Sequence, residues 1–146
     1  MVIRGLQKLT LLDYPGKVAC TIFTDGCNFA CPFCHNASLV HHPGQPARGS
    51  APAVSEGEIF AFLEKRRRVL DGVCISGGEP LLQTGLAPFL ARIKALGYSI
   101  KLDTNGSLPD RLRALVDAGL VDAVAMDIKN TPERYAETIG RTQFDM

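Results

Sequence analysis

The chain has 146 residues, 46% of them apolar and 21% charged, with a formal charge of +1. That length suits one domain with a core of useful size, and the small net charge gives no general electrostatic case for nucleic acid or a membrane surface. No apolar run approaches the ~18 residues of a membrane span, and Met1 to Leu12 lacks the apolar core and cleavage site of a signal peptide, so the chain reads as soluble and cytoplasmic.

Residues 18–24 are rich in β-branched and aromatic side chains and run into Asp25-Gly26, which predicts a strand followed by a loop. That loop carries the cysteines. Residues 41–53 hold Pro43, Gly44, Pro46, Gly49, Ser50 and Pro52 without hydrophobic periodicity, an internal Pro/Gly loop with His41 and His42 expected to be exposed. Ser55 with Glu58 three residues on predicts a capped helix through Ile59, Phe60 and Leu63, with Lys65-Arg66-Arg67-Arg68 as its solvated end. A strand over 72–76 leads to Gly77-Gly78-Glu79-Pro80, and a helix carries Leu86, Phe89, Leu90, Ile93 and Leu96 to Gly97. A third strand over 98–102 precedes Asp103-Thr104-Asn105-Gly106, followed by a helix over 109–118. A fourth strand over 121–126 meets Asp127-Ile128-Lys129, and Pro132 opens a last helix through Tyr135 and Ile139.

About four strand–helix units in one domain, 1–146, predict an α/β fold with a parallel sheet, either open or part of a barrel. Such folds keep their sites at the carboxyl ends of the strands. The cysteines, Gly-Gly-Glu-Pro, Asp-Thr-Asn-Gly and Asp-Ile-Lys each follow a strand, so four polar clusters on one rim describe one site.

Cys27, Cys31 and Cys34 have C-x3-C-x2-C spacing, short enough for a loop to wrap three thiolates around one centre. Soft sulfur ligands select iron–sulfur clusters, zinc or copper(I). Most iron–sulfur clusters take four protein thiolates, so three leave one iron open to an outside ligand. A zinc site completed by His35, and a C-x-x-C redox pair at Cys31 and Cys34, are the competing readings. Cys20 and Cys74 fall within strands and read as small core residues.

These residues resemble the radical S-adenosylmethionine enzymes, and within them the activating enzymes of glycyl radical proteins. The resemblance rests on Cys27-x3-Cys31-x2-Cys34 with Phe33 before the last cysteine and His35-Asn36 after it, and on the opening Leu6 to Gly16, which looks like that of anaerobic ribonucleoside-triphosphate reductase activating proteins, close to pyruvate formate-lyase activating enzymes. It implies a partial TIM-type barrel and a 4Fe-4S cluster on the three cysteines, with S-adenosylmethionine chelating the open iron. In the family, one electron cleaves that cofactor to methionine and a 5′-deoxyadenosyl radical, which abstracts hydrogen from a glycine of a partner enzyme. The implied electron donor is reduced flavodoxin or ferredoxin.

Carried over residue by residue, the resemblance implies that Gly77, Gly78 and Glu79 hold the methionine end of the cofactor, with Glu79 accepting from its ammonium. Phe33, His35, Thr104 and Lys129 stand near the cofactor. Asp103, Thr104 and Asp127 match positions that hold a monovalent cation, and Asp13 matches a segment facing the partner's glycine loop. A turn at Asp103-Gly106 and a local Asp127–Lys129 pair are the plain alternatives. The family continues for two further units beyond the four seen here, so the last strand's edge is expected to be uncovered.

Overall fold

The computed structural model describes residues 1–40 and 52–140; most of the Pro/Gly loop, with His41 and His42, lies outside the described residues. Five strands, β1 (Ile3–Thr10), β2 (Ala19–Thr24), β3 (Gly72–Gly77), β4 (Ser99–Thr104) and β5 (Ala123–Met126), form one sheet in chain order. β1 pairs antiparallel with β2, and β2 to β5 run parallel. Helices α1 (Glu56–Arg66), α2 (Leu86–Ala95), α3 (Pro109–Asp117) and α4 (Tyr135–Thr138) follow β2, β3, β4 and β5 in turn.

The local signals act as sequence physics requires. Ser55 Oγ accepts from the Glu58 amide at 3.2 Å and a Glu58 carboxylate oxygen accepts from the Ser55 amide at 2.9 Å, closing a capping box that starts α1. Lys65 to Arg68 are exposed at its end. Alternate strand positions, Cys20 and Ile22, Val73 and Ile75, Ile100 and Leu102, pack with Ile59 and Leu63 of α1 and Leu86, Phe89, Leu90 and Ile93 of α2 in one core.

The sheet has one more strand than the four read from the sequence. β1 escapes period-two reading because its register slips between Ile3 and Gly5 and again between Gln7 and Thr10, so burial does not alternate along it. At the far edge β5 pairs with β4, and Val124 and Met126 are exposed there. The result is an open, partial β/α barrel wall with the four motif loops at one end.

Candidate cofactor site

A cavity of about 470 Å³ opens at the carboxyl ends of the parallel strands and is lined from all four loops. That volume lies in the range of small-molecule sites. From the loop after β2 come Cys27, Cys31, Phe33, Cys34 and His35; Gly77 and Gly78 come from the β3 turn. Asp103 and Thr104 end β4, and Asp127 and Lys129 follow β5. Phe29, Asn36, Val40, Ser76 and Asn105 also line it. Of these, Asn36 and Asn105 stand inside motifs singled out by sequence, whereas Phe29, Val40 and Ser76 carry no chemistry that would flag them.

The cysteine loop is held from two sides. Phe29 is buried against Tyr135, ring centroids 6.3 Å apart and edge to face, and Ile139 completes a small second core on which Cys27 and Cys31 pack. The Ala30 amide donates to the Ile139 carbonyl at 2.8 Å. Helix α4 is thus a buttress for the thiols, a role its four residues do not advertise. On the other side, the Gly78 amide donates to the Thr24 carbonyl at 3.0 Å and the Glu79 amide to the Gly26 carbonyl at 2.8 Å.

That close approach gives the glycine pair a packing reason beside the close ligand approach expected. A Cβ on Gly78 would overlap the Gly26 carbonyl, and one on Gly77, at φ +116°, would overlap the Thr24 backbone. The glycines let two loops pack backbone to backbone; they border the cavity as a consequence.

Glu79 is 1% exposed and absent from the cavity wall, and its carboxylate accepts from the Leu81 amide at 3.0 Å, the Thr104 hydroxyl at 2.9 Å and the Asn105 amide at 2.7 Å. Burial pushes its carboxyl above the usual range, and these three donors pull it back only in part. Its carboxylate clamps the β3 turn to the end of β4 instead of facing into the cavity.

Charges on the rim come in pairs. Lys129 donates to Asp127 at 2.6 Å, and Lys101 donates to Asp103. Burial alone would lower the Lys129 ammonium, but the Asp127 hydrogen bond and charge, with Cys31 and Cys34 nearby, together outweigh it and hold it above the ordinary value. Cys74 is fully buried, and its thiol donates to Asp103 at 3.3 Å. Cys20 sits in the core as read. Asp13, half-buried on the β1–β2 connection, accepts from the Thr21 hydroxyl at 2.5 Å. That places it toward the start of β2, away from the cysteine loop.

Burial raises Cys27 and Cys31 above the usual thiol range, while the Phe29 amide lowers Cys27 and the Lys129 charge lowers Cys31. The three thiols line one cavity. Among the described residues no three His, Cys, Asp or Glu side chains are grouped to hold a single metal ion, whereas a 4Fe-4S centre asks for one thiolate on each of three separate irons and space for a ligand at the fourth.

The family model described as Radical SAM superfamily matches residues 21–145. The chain belongs to the radical SAM superfamily. Members carry a 4Fe-4S cluster and S-adenosylmethionine, the cofactors the family resemblance implies. Among relatives, a protein of Methanocaldococcus jannaschii assigned as a glycyl-radical enzyme activating enzyme is 36% identical over 141 residues, 94% of this chain and 54% of its own length. The pyruvate formate-lyase-activating enzyme of Listeria monocytogenes is 29% identical over 146 residues, 91% of this chain and 55% of its own. The GTP 3′,8-cyclase of Heliobacterium modesticaldum is 32% identical over 122 residues, 77% of this chain and 34% of its own. The chain therefore spans about half the length of the two activating enzymes. The crystal structure of QueE from Escherichia coli superposes with a TM-score of 0.58 at 20% identity, covering 73% of this chain and 52% of that one, which supports the radical SAM fold. No helix among the described residues is long and apolar enough to cross a membrane.

Proposed function

We propose that this chain is the core domain of a cytoplasmic glycyl-radical enzyme activating protein, with Cys27, Cys31 and Cys34 as the cluster ligands. The observation that carries the reading is that the three thiols and the three other strand-end motifs border one cavity, joined to similarity over 94% of this chain, and 54% of the relative, to a protein named as a glycyl-radical enzyme activating enzyme. A cluster held by Cys27, Cys31 and Cys34 would pass one electron from an external donor to S-adenosylmethionine, and so would supply the radical chemistry that takes hydrogen from a glycine of the partner. Lys129, Thr104, Phe33, His35 and the backbone of Gly77 and Gly78 border the space for the cofactor, and Glu79 braces that wall from behind.

Further parts of the proposal are an anaerobic ribonucleoside-triphosphate reductase as partner and reduced flavodoxin or ferredoxin as electron donor. A monovalent cation at Asp103, Thr104 and Asp127 would compete with the Lys101 and Lys129 ammoniums for the two carboxylates, while the Thr104 hydroxyl could keep donating to Glu79 and turn a lone pair to the cation. Asp13 would meet a partner only outside this cavity. Similarity to the GTP cyclase favours, as the second reading, a radical SAM enzyme acting on another substrate.

The test is anaerobic incubation of the reconstituted protein with dithionite, S-adenosylmethionine and the candidate reductase. Formation of 5′-deoxyadenosine together with a glycyl radical signal on the reductase is expected. Deoxyadenosine without that signal would remove the partner assignment, and neither product would remove the activity.

A further inference from the structure

Asn105 is the residue just beyond β4, and every polar atom of its side chain has a partner. Its Oδ1 accepts from the Ser107 amide at 3.0 Å, an Asx turn. Its Nδ2 donates to Asn28 Oδ1 at 2.9 Å and to Cys27 Sγ at 3.9 Å. Asn28 in turn donates to the Ser107 hydroxyl at 2.8 Å. This ring fixes which way the amide faces, because flipping it would set its NH2 against the Ser107 N–H. The backbone amide of Asn105 is tied to the buried Glu79 carboxylate, so the residue cannot swing away. With the Phe29 amide at 3.4 Å, two N–H dipoles converge on Cys27 Sγ.

We infer that Asn105 is a positioning residue that raises the reduction potential of the cluster by donating its side-chain amide to Cys27. This deepens the proposed function and rests on Cys27 being a cluster ligand. An added electron makes the cluster and its thiolates more negative, so an N–H dipole aimed at a sulfur stabilises the reduced form more than the oxidised one. A turn-forming role alone would not need an amide: aspartate accepts from the Ser107 N–H as well and has no donor for the sulfur, while serine does so with a hydroxyl one bond shorter than an amide nitrogen that already stands 3.9 Å from Cys27 Sγ.

The experiment is a redox titration of the reconstituted chain, followed by electron paramagnetic resonance, for wild type, Asn105→Ser, Asn105→Asp and Ser107→Ala. Midpoints below wild type are expected for both Asn105 variants, lowest for the charged aspartate. Ser107→Ala cuts the Asn28 link but leaves the amide on Cys27, and should stay at the wild-type midpoint. A wild-type midpoint for Asn105→Ser, or an equal drop in Ser107→Ala, overturns the inference. Should neither Asn105 variant hold a cluster, pulsed resonance on reduced wild type labelled with ¹⁵N in asparagine side chains decides: a nitrogen coupling is expected, and its absence overturns the inference. Cys27→Ala is the companion variant. Its loss of the cluster supports ligation, so that an unshifted Asn105→Ser then defeats this inference alone, whereas an unchanged cluster in Cys27→Ala defeats both.

Discussion

Glu79→Ala should destabilise the cofactor-free chain by about 3 kcal/mol. The carboxylate is 1% exposed and accepts from the Leu81 amide, the Thr104 hydroxyl and the Asn105 amide, so removing it strands three donors. Each unsatisfied buried donor costs roughly 1–3 kcal/mol. The lower end applies here, because loss of a carboxylate that burial already disfavours in its charged form returns part of the cost. Glu79→Gln keeps an acceptor and should lose less, while Thr104→Val removes one hydrogen bond and should cost about 1 kcal/mol. Urea denaturation followed by far-ultraviolet circular dichroism measures all three. A Glu79→Ala loss below about 1 kcal/mol, or one equal to Thr104→Val, would refute the clamp.

Other consequences follow from the same geometry. Because the folded-state carboxyl of Glu79 is raised, the native chain holds its proton to higher pH than the unfolded chain; stability should fall as pH rises from about 4.5 through the folded value and then level, and Glu79→Gln should lack that fall in the same urea series. Gly78→Ala forces a Cβ into the Gly26 carbonyl, so the cysteine loop must move; a cost of about 1–3 kcal/mol and reduced iron uptake after reconstitution are expected, and wild-type iron content would contradict the packing role. Phe29→Ala empties the small core beside Cys27 and Cys31 and should cost about 3 kcal/mol, with faster loss of iron to a chelator than in wild type. If cation binding accompanies the cofactor, the affinity for S-adenosylmethionine by calorimetry should rise when potassium replaces choline at fixed ionic strength, and equal affinity in both salts would argue against it.

Much of this architecture is legible in the sequence, since strand propensity, the Ser55–Glu58 capping pair and the glycines closing α2 and α3 act locally. The parallel order then places the motif loops on one rim whatever the packing details. β1 is different: its pairing depends on two register slips against β2, which no alternation in its own residues records. For the glycine pair and Glu79 the packing supplies a second reason beside the one the motif suggests. Motif position says that Gly78 must be small and Glu79 acidic, but whether the demand comes from a ligand or from Gly26, Thr104 and Asn105 is written only in three dimensions. The buttress of Tyr135 and Ile139 under Phe29 joins segments more than a hundred residues apart, and no local signal couples them.

The central claim is that three thiolates hold a cluster with one iron open to S-adenosylmethionine. Anaerobic reconstitution with iron and sulfide, followed by low-temperature electron paramagnetic resonance of the reduced protein with and without S-adenosylmethionine, tests it most directly. A 4Fe-4S signal that changes shape when the cofactor is added, and that is lost in Cys31→Ala, is the predicted result. A protein that takes up no cluster, or one whose cluster signal is indifferent to S-adenosylmethionine, would contradict the account.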